Sequence, residues 1–180
     1  WEELITRYEA IDAPKVIYVD VPNAQTINLP DIGRPYDFSD TAIIGLNGKA
    51  TLSFDVNAEI VASSGNTGFF YFMENVNLVF NSTATNLLDL TDQITFDFVM
   101  RDASLQNDGS SNSIIRINNS LSTVNIQLNN GSTLFTGASE VFELNNTTSL
   151  VQAYSSSTIQ ADTFRGSGTI NAENDPSSTI

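Results

Sequence analysis

The chain contains no cysteine and no histidine. Without thiolate or imidazole it cannot build the usual zinc sites, a cysteine nucleophile or a Ser-His-Asp triad. It cannot form disulfides either, which by itself leaves the compartment open. Positive charge is scarce: seven Lys plus Arg stand against 21 Asp plus Glu, a net charge of -14. A nonspecific grip on nucleic acid or anionic lipid needs clustered positive charge, so neither is an expected partner. No apolar run approaches the ~20 residues of a helical membrane span, so no membrane insertion is expected. Charged residues of both signs make up only 16%, while 41% are hydrophobic, which is too apolar for a disordered tail. At 180 residues the chain is one domain or one piece of a longer, elongated one.

What fills the gaps between apolar residues is mostly Asn, Ser and Thr. Trp1, Leu4, Ile5, Tyr8 and Ile11 recur at helical spacing, and acidic Glu2 and Glu3 suit the positive end of a helix dipole. Pro14 forbids continuation. A single helix over 1–14 is therefore expected. Beyond it, short β-branched or alternating runs such as Val16–Val19, Thr26–Leu29 and Leu52/Phe54/Val56 are broken every few residues by Asn, Gly, Ser and Asp. Trp1 in place of a Met leads us to expect a fragment or processed chain. The pattern at 175–180 leads us to expect continuation past Ile180.

Repeats organise the remainder. Segments 88–92, 115–119, 142–146 and 170–174 each carry apolar or small residues at their first and third positions and end in Asn or Asp. They start 27, 27 and 28 residues apart, and 71–75 is a weaker member. A second family follows after a short corner: Val76/Leu78/Phe80, Ile94/Phe96/Phe98, Val124/Ile126/Leu128 and Val151/Ala153. Phe135–Val141 also echoes Phe164–Ile170 at an offset of 29. Stacked coils of short strands at the ~4.8 Å strand separation explain this better than a closed sandwich, although an antiparallel β-sandwich also has short strands and turn clusters. Corner Asn and Asp tolerate the left-handed backbone conformation, which gives Asn75, Asp92, Asn119, Asn146 and Asn174 a structural role.

The segments Trp1–Ile5 with Tyr8–Ile11, Pro14–Val19 and Thr26–Pro30, followed by Asn-, Ser- and Thr-rich repeats, resemble the right-handed parallel β-helix proteins. The closest likeness is to the shafts of phage tailspikes and tail fibres. The resemblance implies an all-β fold, with a capping α-helix over 1–14 and β-helix coils over 15–180. It implies a structural, host-receptor-binding module of an extracellular virion, commonly a homotrimer that contacts other virion proteins and a cell-surface polysaccharide. A polysaccharide depolymerase and a bacterial surface adhesin share the same grammar and remain alternatives.

Paired carboxylates are the only plausible catalytic equipment, because a glycosidase needs an acid and a base or nucleophile across one bond. Asp89, Asp92 and Asp97, with Arg101 and Asp102, form the densest group. Were the chain an enzyme, Asp97, Asp102 and Asp89 would be its candidates; a solvated face with corner residues is the plainer reading. Asp37 and Asp40 near Arg34 read as loop. A lyase-type basic residue has few candidates among two lysines and five arginines. Neither Asn107–Gly109 nor Asn171–Asp175 matches a spaced calcium loop, so no metal and no cofactor are expected. Phe69–Phe72 places four rings in succession, two on each strand face, making Phe69 and Tyr71 the candidate ligand contacts beside plain burial. An ice-binding face would want a recurrent Thr ladder. Thr83/Thr85 occurs once, and that reading is set aside.

Overall fold

The computed structural model describes residues 3, 7, 8, 10, 15–22, 25–30, 32, 41–54, 60–61, 68–80, 86–89, 95–107, 113–117, 123–136, 141–144, 148–160 and 163–172. The β-branched and alternating runs form short strands. The first are β1 (Lys15–Val19), β2 (Thr26–Leu29), β3 (Thr41–Gly45), β4 (Ala50–Phe54) and β5 (Ile60–Val61). Next come β6 (Gly68–Glu74), β7 (Val76–Phe80), β8 (Asn86–Asp89), β9 (Thr95–Arg101), β10 (Ser104–Asn107) and β11 (Ser113–Ile117). The last are β12 (Thr123–Asn129), β13 (Thr133–Thr136), β14 (Val141–Leu144), β15 (Leu150–Ala153), β16 (Thr158–Gln160), β17 (Thr163–Gly166) and β18 (Thr169–Ala172).

These strands make three sheets. The first has seven strands in the order β1-β3-β6-β9-β12-β15-β18. The second has six, β16-β13-β10-β7-β4-β2, and the third has five, β17-β14-β11-β8-β5. From β3 onward the chain visits first, second and third sheets in strict rotation. The described pairings are parallel in all three sheets. The chain is all-β, and an antiparallel sandwich does not fit.

Alternation sends every second residue inward. On the first sheet, Ile43, Met73, Met100, Leu128 and Ala153 share one register row, and none is more than 2% exposed. On the second, Leu52, Leu78, Leu105 and Ile159 are likewise buried. Each such Leu or Met contributes roughly 1.5–3 kcal/mol through removal from water. Where first-sheet strands pass to second-sheet strands, Ala50, Val76, Ala103, Ser132 and Ser157 are all fully buried. Small side chains are needed at this crease. Its two serines stay satisfied: Ala103 N donates to Ser132 Oγ, Ser132 N donates to Ser157 Oγ, and Ser132 Oγ donates to Asn129 O.

The turns between these two sheets use the left-handed region at Asn75 (φ 54°), Asp102 (44°), Asn130 (55°), Ser155 (51°) and Ser156 (64°). Short polar side chains tolerate that conformation best. Successive turns bond to one another, Asn75 N to Arg101 O at 3.1 Å and Asp102 N to Asn129 O at 3.2 Å. Asn75 Nδ2 adds a bond to Gly45 O at 3.1 Å. Of the other corner positions, Asp92, Asn119, Asn146 and Asn174 lie outside the described residues.

The expected helix over 1–14 falls largely outside the described residues, and no helical element stands among those described. Glu3, Arg7 and Tyr8 have helical backbone, and Arg7 pairs with Glu3 one turn away. Tyr8 packs against the core and its hydroxyl lies 2.6 Å from Oγ1 of the buried Thr41.

The repeat families need correction. Leu88, Ile115 and Phe142 do fall in step, as their flanking pairs show. Ile170, however, lies on β18 of the first sheet beside Val151, and Phe142 pairs instead with Phe164. Residues 71–74 also belong to the first sheet, and Val76/Leu78/Phe80 to the second. The echo at offset 29 is not a structural repeat, because Val141 pairs with Thr163 and Phe135 with Gln160. All three sheets carry the same alternation, so apolar period alone cannot tell one from another.

Candidate functional site

The proposed carboxylates do not converge. Asp97 lies on the exposed side of β9, where it accepts a bond from Asn125 Nδ2 at 2.9 Å. Asp102 lies past the end of the same strand, in the turn to β10, and Lys49 Nζ stands 2.9 Å from its Oδ1. Along the chain the two are separated by the extended end of β9 and by a left-handed turn at Asp102 itself. Asp89 is on β8 of the third sheet, a different face. The grouping was a consequence of chain proximity, which a strand converts into distance. Arg101 faces Glu74, its register partner, at 3.9 Å. Among the described residues no three of His, Cys, Asp and Glu are placed to hold a metal ion.

Phe69 and Tyr71 lie on β6, in register with Phe96 and Phe98 of β9. Tyr71 occupies the row that holds the buried Thr41, Phe98, Ile126 and Val151. Large exposed apolar side chains occur elsewhere, at Val16, Tyr18, Leu46 and Phe164.

Charge is distributed unequally among the sheets. The first carries Lys15, Glu74, Asp97 and Arg101 on its strands. The third carries Asp89, Arg116, Glu143 and Arg165, which fall on one register row with alternating sign. The six strands of the second sheet carry no charged residue at all. Its strands instead place Thr26, Thr51, Asn77, Ser104, Thr133 and Thr158 on one row. These six alternate with the buried Leu52, Leu78, Leu105 and Ile159, and all are half-buried or exposed. Ser104 Oγ donates along the row to Asn77 Oδ1 at 2.7 Å. A second outer row begins Asn28, Ser53, Val79 and Gln106.

Sequence reasoning missed this ladder by looking for Thr-x-Thr. The signal was a tripeptide, with a hydroxyl or amide residue before an Ile or Leu: Gln25-Thr-Ile27, Ala50-Thr-Leu52, Val76-Asn-Leu78, Ala103-Ser-Leu105, Ser132-Thr-Leu134 and Ser157-Thr-Ile159. No family model, no curated protein and no solved structure matches this chain.

Proposed function

We propose that the chain is a right-handed parallel β-helix that serves as a non-catalytic structural and host-receptor-binding module of a phage tail fibre or tailspike, displayed on the virion as a homotrimer. The observation that carries this reading is the rotation of successive strands through three parallel sheets, with equivalent apolar residues stacked in rows. A chain that repeats that circuit builds a rod, and crossovers between parallel strands of one sheet are overwhelmingly right-handed. The helical backbone at Glu3, Arg7 and Tyr8, with Tyr8 against the core and bonded to Thr41, supports a cap over the first circuit. A net charge of -14 and an outer surface of Asn, Ser and Thr suit a rod that must stay soluble without disulfides.

Light scattering tests this reading. A stable trimer is the expected mass, and a monomer at micromolar concentration would refute the fibre assignment. Asp97→Asn is expected to leave folding and cell attachment unchanged. Loss of a measured glycan-cleaving activity in that variant would reinstate the depolymerase alternative.

A further inference from the structure

Asparagine is a chemically labile residue, and most so when glycine follows it, because no side chain shields the next backbone nitrogen from the carboxamide. The sequence holds this pair twice, at Asn47–Gly48 and Asn130–Gly131. Both pairs lie in turns from the first sheet to the second, one between β3 and β4 and the other between β12 and β13. Both asparagines are exposed, so access of water does not distinguish them.

The two glycine nitrogens differ. Gly131 N donates to Ser155 O of the next turn at 2.8 Å, and Tyr154 N of that turn donates back to Leu128 O at 2.8 Å. Attack on Asn130 would break the first of these bonds and unseat a pair held at φ 55° and 71°. Gly48 N makes no hydrogen bond to another described residue. The tie at this turn runs through a side chain instead, Asn47 Nδ2 donating to Oδ1 of Asp20, the residue that follows β1. That bond engages the amide nitrogen and leaves both the nucleophile and the attacked carbon available. It is exposed, so exchanging it for water costs little.

We propose that Asn47 is a site of spontaneous covalent modification, cyclising onto Gly48, and that the stacked turn keeps Asn130 an amide. Gly48 N bonds to Asn47 Cγ as the Cγ–Nδ2 bond breaks, and Nδ2 departs as ammonia with the proton that Gly48 N loses. One water then opens the resulting succinimide, at Cγ to give isoaspartate's isomer aspartate, or at the main-chain carbonyl to give isoaspartate. Either product replaces a donor to Asp20 with a second carboxylate, turning the tie between the first two turns into a repulsion. This chemistry needs only the fold and water, and stands whatever the role of the chain.

Incubation of the full chain at mildly alkaline pH, followed by peptide-level mass spectrometry, tests the proposal. In the folded protein Asn47 should convert about tenfold faster than Asn130 or more, the worth of one hydrogen bond in the barrier. In concentrated urea the two should convert at similar rates, because unfolding frees Gly131 N. Asn47→Gln should abolish conversion at that position, since closure would then need a six-membered ring. Equal rates at the two sites in the folded protein, an Asn47 that stays intact there, or a difference that persists in urea would overturn the assignment. Asn47→Asp, which carries the ordinary hydrolysis product, should lower the urea midpoint at low ionic strength and regain part of it in high salt. A midpoint equal to the parent's would overturn the proposed effect on the turns.

Discussion

Gly45, at the end of β3, is a position in the described structure where a side chain would meet backbone directly. A Cβ there would stand 2.1 Å from the carbonyl oxygen of Asn75 and 3.0 Å from that of Gly48. The obstacle is backbone, so no side-chain rotation relieves it. Gly45→Ala must push the Asn75 turn outward by about 1 Å to restore ordinary contact. That movement stretches two bonds, Asn75 Nδ2 to Gly45 O and Asn75 N to Arg101 O, both 3.1 Å long. At about 1 kcal/mol each, with about another for disturbed packing beside Val76, the expected loss is about 3 kcal/mol. For a chain of this size that is a fall in melting temperature of about 6–12 °C. Gly131→Ala is the control. It has φ +71° but nothing within 4 Å, so it should lose only the left-handed penalty of about 1–2 kcal/mol. Urea denaturation of the three proteins, followed by circular dichroism, measures both. Should Gly45→Ala prove as stable as the parent, or more stable than Gly131→Ala, the close approach of these two turns is wrong.

Gly166→Ala should be at least as damaging as Gly45→Ala, since it combines φ +102° with a Cβ 1.9 Å from Leu144 O; failure to recover folded protein at 25 °C is the expected readout. Ser132→Ala removes the acceptor of Ala103 N in a fully buried crease and should cost about 1–3 kcal/mol in the same denaturation assay. Arg116→Glu sets three acidic residues in succession on the third sheet, where opposite signs now alternate, and should cost about 1–2 kcal/mol. Part of that loss should disappear in 1 M salt, and a salt-independent loss would contradict the electrostatic reading. Asp102→Asn should change stability by less than about 0.5 kcal/mol, because its ion pair with Lys49 is solvent-exposed and Asn tolerates the same left-handed turn.

Sequence alone determined the local character of this protein. Period-2 alternation such as Leu52/Phe54 and Val151/Ala153, interrupted by Asn, Gly and Ser, yields short strands wherever the chain is placed, because pleating sends alternate side chains to opposite faces. Absent cysteine and histidine excluded whole classes of chemistry before any geometry was known. The similar spacing of Leu88, Ile115 and Phe142 was legible because one sheet stacks those residues directly. Asn75 could be marked as a turn residue from the intrinsic tolerance of asparagine for the left-handed region.

Tertiary structure decided what lies beside what. Asp97 and Asp102 look clustered in one dimension, but an extended strand holds them apart and a turn sends the second toward Lys49. Thr26, Thr51, Asn77, Ser104, Thr133 and Thr158 are 25 to 29 residues apart, yet they become neighbours because parallel strands from successive passages align in register. Ile170 matches the third-sheet residues in pattern and still belongs to the first sheet, because the length of the intervening turns, and not hydrophobicity, sets which sheet a strand joins. The absence of charged residues from the strands of the second sheet is likewise a property of register. Alternation fixes that a residue points outward, but only the pairing of distant strands collects the uncharged outward residues on one surface.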